Sequence, residues 1–133
     1  MFSADDVIAL LPGLAQERPV FHSEADFQHA LAWAIHVANP RLRVRLETRP
    51  ARGIHLDLLV TDPNDGGTLA IELKYLTDKW EGEVDGEQFT LLRQSAQDIR
   101  GYDCVKDIAR VEALITSGST HAGLVLVLAN DPS

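Results

Sequence analysis

Two strand-patterned stretches joined by a short turn constrain this chain more than any other feature. Ile54–Thr61 is rich in aliphatic residues, Thr68–Tyr75 alternates apolar and polar ones, and Asp62-Pro63-Asn64-Asp65-Gly66-Gly67 between them is a run of turn formers. Folded back as an antiparallel hairpin, the two stretches set Thr61 opposite Thr68. The ladder then brings Asp57 opposite Glu72 and His55 opposite Lys74. Side chains alternate with a period of two, so Leu69, Ile71, Leu73 and Tyr75 share one face with Leu56, Leu58 and Val60. The other face carries Asp57, Glu72 and Lys74.

The rest of the chain supplies layers for that hairpin. Ser3, followed by Asp5 and Asp6, predicts a short helix that Pro12-Gly13 ends. Ser23 with Asp26 is a variant capping box opening a second helix, whose apolar stripe is Phe27, Leu31, Ile35 and Ala38 and whose stop is Asn39-Pro40. Arg41–Glu47 alternates strictly and reads as a strand ahead of the hairpin. Residues 78–87 read as a mobile acidic loop. Apolar residues three or four apart then predict helix over 87–115, bent or divided at Gly101. Gly123–Ala129 is an unpatterned aliphatic run, which predicts a strand buried on both faces. The order α-α-β-β-β-α-β is that of a mixed α/β (α+β) fold, with helices against a mixed central sheet. At 133 residues the chain suits one domain. Within it, 1–20 reads as an N-terminal helical extension and 21–130 as the core.

Composition narrows the setting. The longest apolar run, Leu124–Ala129, is far below the roughly 20 residues of a membrane helix, so no membrane partner is expected. The amino terminus is acidic where a secretory signal is basic, and Cys104 has no partner for an internal disulfide. A reducing, cytoplasmic location is expected. The formal charge of -8 argues against a protein that coats nucleic acid through bulk positive charge. Arg41, Arg43, Arg45, Arg49 and Arg52 nevertheless gather five of the twelve basic residues in one segment. They read either as a local basic patch or as a solvated strand face.

The hairpin face carries the chemistry. Two carboxylates across a ladder lie about 4.5–5.5 Å apart at Cβ, a destabilising arrangement that a divalent cation would offset. Oxygen donors with little nitrogen or sulfur nearby favour Mg²⁺, or Mn²⁺ in its place, over zinc, with waters and a backbone carbonyl filling the remaining positions. Lys74, one pleat from Glu72, is placed to orient the attacking water or to stabilise charge growing on a scissile phosphate. This is the chemistry of metal-assisted phosphodiester hydrolysis.

Asp57, then Glu72-Leu73-Lys74 on the next strand, preceded by Glu24 on a helix and followed by a helix and an aliphatic strand, resembles the PD-(D/E)XK nuclease superfamily. The likeness runs from about Ser23 to Asn130. It implies a three-layer αβα core of the restriction-endonuclease-like fold. It also implies catalytic Mg²⁺ held by Asp57, Glu72 and the Leu73 carbonyl, with Lys74 assisting the attacking water and Glu24 as a further acid from the first core helix. The sequence departs from the family pattern in having Leu56, not proline, before Asp57. DNA is the expected substrate, and a homodimer or a further domain of a longer parent protein the expected context.

Other residues are open to two readings. Arg45, His55, Gln94, Gln97 and Arg100 are candidates for substrate contact, or an exposed strand arginine, a hydrogen-bonding strand histidine and a solvated helix face. Asp103, Asp107 and Arg110 read as intrahelical pairs. Trp33 and Trp80 could stack on bases, pack in the core or pack at an interface. The competing reading of the whole chain is a noncatalytic nuclease-like domain acting as a protein-interaction module, and the charge of -8 favours it.

Overall fold

The computed structural model describes residues 2–51, 54–92, 105–118 and 120–130. Helix α1 (Ala4–Glu17) opens at Ser3, whose amide donates to the Asp6 carboxylate at 2.8 Å. It does not stop at Pro12. The proline forfeits one helical hydrogen bond, but Leu14 beyond it lies two turns from Val7 and joins it in the core, and that burial carries the helix on to Glu17. Helix α2 (Glu24–Ala38) begins as the sequence predicts, with Ser23 Oγ accepting from the Asp26 amide at 3.1 Å. It buries Phe27, Leu31 and Ile35.

Strands β1 (Arg43–Ala51), β2 (Ile54–Thr61) and β3 (Thr68–Thr77) form an antiparallel meander. The chain then makes a second, two-stranded sheet from β4 (Trp80–Val84) and β5 (Glu87–Leu91), continues into helix α3 (Val105–Thr116), and returns as β6 (Ala122–Asn130) parallel to β3. The main sheet has the order β1-β2-β3-β6. One face of it, with Leu58, Val60, Leu69, Ile71, Leu73 and Tyr75, packs on α1 and α2 in a single apolar cluster. The other face meets α3, where Leu114 lies against Leu56 and Ala70. The result is a mixed α+β fold with helices on both sides of a mixed sheet. Val7 and Leu14 belong to the same cluster as the sheet residues, so the first helix is packed into the core rather than appended to it.

Two further segments differ from the sequence-based expectation. Residues 80–91 form a hairpin, where the sequence reading has an acidic loop running into a helix. Asp85 and Gly86 have φ of +51° and +83°, the backbone of a primed two-residue turn, and Phe89 and Leu91 are buried with a period of two. The part of the expected helix at 93–104 lies outside the described residues, and α3 supplies its C-terminal portion. β6 is an edge strand rather than one buried on both faces: it pairs with β3 alone among the described residues, and Val127 is 44% exposed. No described helix is long and apolar enough to cross a membrane.

Helix α3 sits tightly on β6. A Cβ built on Gly123 would come within 1.9 Å of Val111 Cγ1. Gly123→Ala is therefore expected to lower the free energy of urea unfolding by about 1–3 kcal/mol, and Val111→Ala in the same chain to recover part of that loss. Simple addition of the two single losses would mean that helix and strand do not meet there.

Candidate metal centre at a fork in the sheet

The β2–β3 ladder keeps the predicted register, with Thr61 across from Thr68, but its last pair is Leu58 with Ile71. β2 goes on pairing with β1 back to Ile54, and β3 with β6 up to Thr77. The sheet therefore forks, and Asp57 and Glu72 stand at the mouth of the fork instead of inside a continuous ladder. The alternation of β2 is interrupted there as well. Leu56 packs with Ala70 and Leu114, not with Leu58 and Val60 as a regular strand would have it.

Buried amides that lose a strand partner need another acceptor. Asp57 Oδ2 accepts from the Leu73 amide at 2.7 Å, and Glu24 Oε2 accepts from the Tyr75 amide at 3.1 Å. The amide and carbonyl of one strand residue leave the same edge, so the Leu73 carbonyl opens between these two carboxylates. Helix α2 reaches both lips. Its first residue is Glu24, and one turn on the buried Gln28 donates from Nε2 to the Asp57 carbonyl at 2.7 Å.

Glu72 is buried on the α3 side, beside Asp57, and Arg110 Nη1 of α3 lies 3.4 Å from its Oε1. Burial raises the Glu72 carboxyl most. Hydrogen bonding to Asp57 and the charge of Asp57 add to this, and Arg110 opposes it, leaving a pKa of about 7 against an ordinary 4.5. Glu72 thus keeps its proton until near neutrality, hydrogen-bonded to Asp57. Lys74, half-buried, follows two residues later on the same face of β3. Burial also holds the Tyr75 phenol above its usual range, while its oxygen accepts from the Phe21 amide at 3.1 Å.

A second donor set shares Asp57. Glu47, His55 and Asp57 have ligand atoms all within 4.8 Å of one another, and His55 Nε2 pairs with Glu47 Oε2. The register Leu46↔Leu58 and Thr48↔Leu56 puts Glu47 across from Asp57, at a backbone φ of +55°. His55 therefore engages Glu47.

Of the predicted site residues, Asp57 and Glu72 lie side by side, and Asp57 and Glu24 accept from amides two residues apart on β3, with Lys74 between those amides in the sequence; the described donors whose ligand atoms all lie within 4.8 Å of one another are Glu47, His55 and Asp57. Arg45 is exposed across from Leu59 and donates to the Val44 carbonyl at 3.2 Å. Gln94, Gln97 and Arg100 lie outside the described residues. Arg110, read from sequence as an intrahelical partner, reaches Glu72. Sequence reasoning passed over Gln28 and Glu47. Gln28 was visible as a polar residue one turn from Glu24 beside the stripe of Phe27, Leu31 and Ile35. Glu47 was not, because the β1–β2 register shifts between Thr48 and Ala51, so a count from the turn misplaces it by one. No protein-family model, curated protein or solved structure matches this chain.

The Glu72 proton has a thermodynamic sign. The folded state binds it more tightly than the unfolded chain, so metal-free stability falls as pH rises from about 4.5 to 7. In a chelating buffer, Glu72→Gln is expected to match the parent's urea midpoint at pH 4.5 and to exceed it at pH 8. Parallel curves for the two proteins across that range would refute the buried acid pair.

Proposed function

We propose that this chain is a Mg²⁺-dependent nuclease of the PD-(D/E)XK kind, hydrolysing phosphodiester bonds in nucleic acid, with DNA the expected substrate and Mn²⁺ a substitute ion. The observation that carries this reading is the fork. Asp57 and Glu24 flank the Leu73 carbonyl there, and Glu72 stands protonated against Asp57. The donors are all oxygen, which suits a hard cation, and the proton on Glu72 marks where positive charge is in demand.

Asp57, Glu72, the Leu73 carbonyl and Glu24 would hold the ion. Bound Mg²⁺ would supply a Lewis acid for the water and the scissile phosphate. The chain's own residues do the rest. Leu73 and Gln28 fix Asp57 from its side-chain and backbone ends, so its carboxylate is aimed before any ligand arrives. Glu72 gives up its proton on binding, which makes affinity fall below about pH 7. Lys74, on the same face, orients the attacking water and stabilises charge on the phosphate. In this reading β4–β5 is an insertion within a restriction-endonuclease-like core. The setting is cytoplasmic, and a homodimer or a further domain serves cutting of both strands.

The competing reading, a noncatalytic interaction domain, draws on the outer surface of α1 and α2, where Trp33 is 67% exposed beside Val37. Nicking of supercoiled plasmid in low salt with Mg²⁺ or Mn²⁺ separates the two. The parent protein is expected to nick, with Glu72→Ala and Asp57→Ala inactive and Lys74→Ala reduced by about 10²-fold or more. Calorimetric Mn²⁺ binding should vanish in Asp57→Ala. A folded parent that neither binds Mn²⁺ nor nicks would leave the interaction domain as the better account.

A further inference from the structure

Basic residues outnumber acids on one edge strand of this strongly negative chain. β1 carries Arg43, Arg45 and Arg49, all exposed, and among the described residues none of the three forms an ion pair. The one acid among them, Glu47, is engaged by His55. Arg43 lies across from Thr61 and Arg45 across from Leu59, whose side chain packs with Leu56, Ala70 and Leu114. Arg43 and Arg45 are therefore on the α3 side of the sheet, the side that carries Glu72. Helix α3 itself packs on β3 and β6, two strands away from β1 in the sheet order.

The spacing leads from the fork outward. Arg45 faces Leu59, two residues from Asp57 on β2, and Arg43 lies about 7 Å further along β1. One extended nucleotide covers a step of that size. Arginine presents a planar fork of donors that matches phosphate oxygens two at a time. We infer that Arg43 and Arg45 form a phosphate track on the edge strand, which holds a single extended strand of nucleic acid by its backbone on one side of the Asp57–Glu72 pair.

This inference rests on the reading of nucleic acid as substrate, but its test needs neither metal nor cleavage. A fluorescein-labelled single-stranded oligonucleotide would be titrated by anisotropy in EDTA between about 50 and 200 mM salt. Arg43→Ala/Arg45→Ala is expected to bind at least tenfold more weakly at the low-salt end. Its log–log salt slope should be shallower by about 0.7 per arginine removed, without change in base preference. Lys79→Ala, which removes an exposed charge beyond the end of β3, should leave the slope unchanged. Equal melting temperatures would show that the variants are folded. An unaltered slope in the double variant, or an equal loss in Lys79→Ala, would overturn the track. Binding that follows the arginines in a protein that never nicks would retain the track and reject the nuclease.

Discussion

Leu73 and Tyr75 each carry a backbone amide that β2 would satisfy if its ladder with β3 continued past Leu58. A buried amide without an acceptor costs about 1–3 kcal/mol, so a sheet can open in its interior only where side chains replace the missing strand. Asp57 and Glu24 do so with carboxylates, the stronger acceptors, and Gln28 takes up the carbonyl that β2 leaves behind. The fork and the acids are thus one feature. Without the carboxylates the strands would close, and without the fork the Leu73 carbonyl would be spent on a ladder hydrogen bond. The start of α2 belongs to the same arrangement, because the Ser23 cap fixes where Glu24 begins the helix.

That solution leaves an electrostatic imbalance. Two of the acids are buried side by side, and Arg110, at 3.4 Å from Glu72, is itself partly exposed. Burial, and after it the hydrogen bond to Asp57 and the charge of Asp57, hold the Glu72 carboxyl well above the usual carboxylate range, at about 7. A core selected for stability alone would replace such a pair with apolar groups of similar volume, commonly at no loss. Retaining it is the trade expected where charge is to be received from outside.

Much of this was legible in the sequence, for identifiable reasons. The hairpin turn and the β2–β3 alternation gave the register from Thr61/Thr68 to Leu58/Ile71, and the Ser23–Asp26 cap gave the start of α2. The fork itself was not legible, because a regular ladder counts straight through Asp57 and only the side-chain acceptors show where it ends. Glu47 was hidden by the register shift after Thr48, and β4–β5 by an acidic composition that masked the Asp85-Gly86 turn and the period-two burial of Phe89 and Leu91. Pro12 misled in the opposite direction: one lost helical bond weighs less than burying Leu14.

Charge is segregated along β3 in a way that bears on how an acidic chain could approach a polyanion. Its first residue, Thr68, pairs with Thr61, which in turn pairs with Arg43. Its last, Thr77, donates to the Leu92 carbonyl beside the β4–β5 hairpin, whose exposed acids are Glu81, Glu83, Asp85 and Glu87. Ten residues of strand separate these ends by about 30 Å, more than three Debye lengths at physiological salt. The hairpin's negative charge is therefore screened from Arg43 at the start of β1, and the net charge of -8 says little about the potential met at that end of the strand. Under the proposed function, a polyanion approaching from β1 would meet Arg43 and Arg45 before the acids at the fork, because both arginines lie on the side of the sheet that carries Glu72.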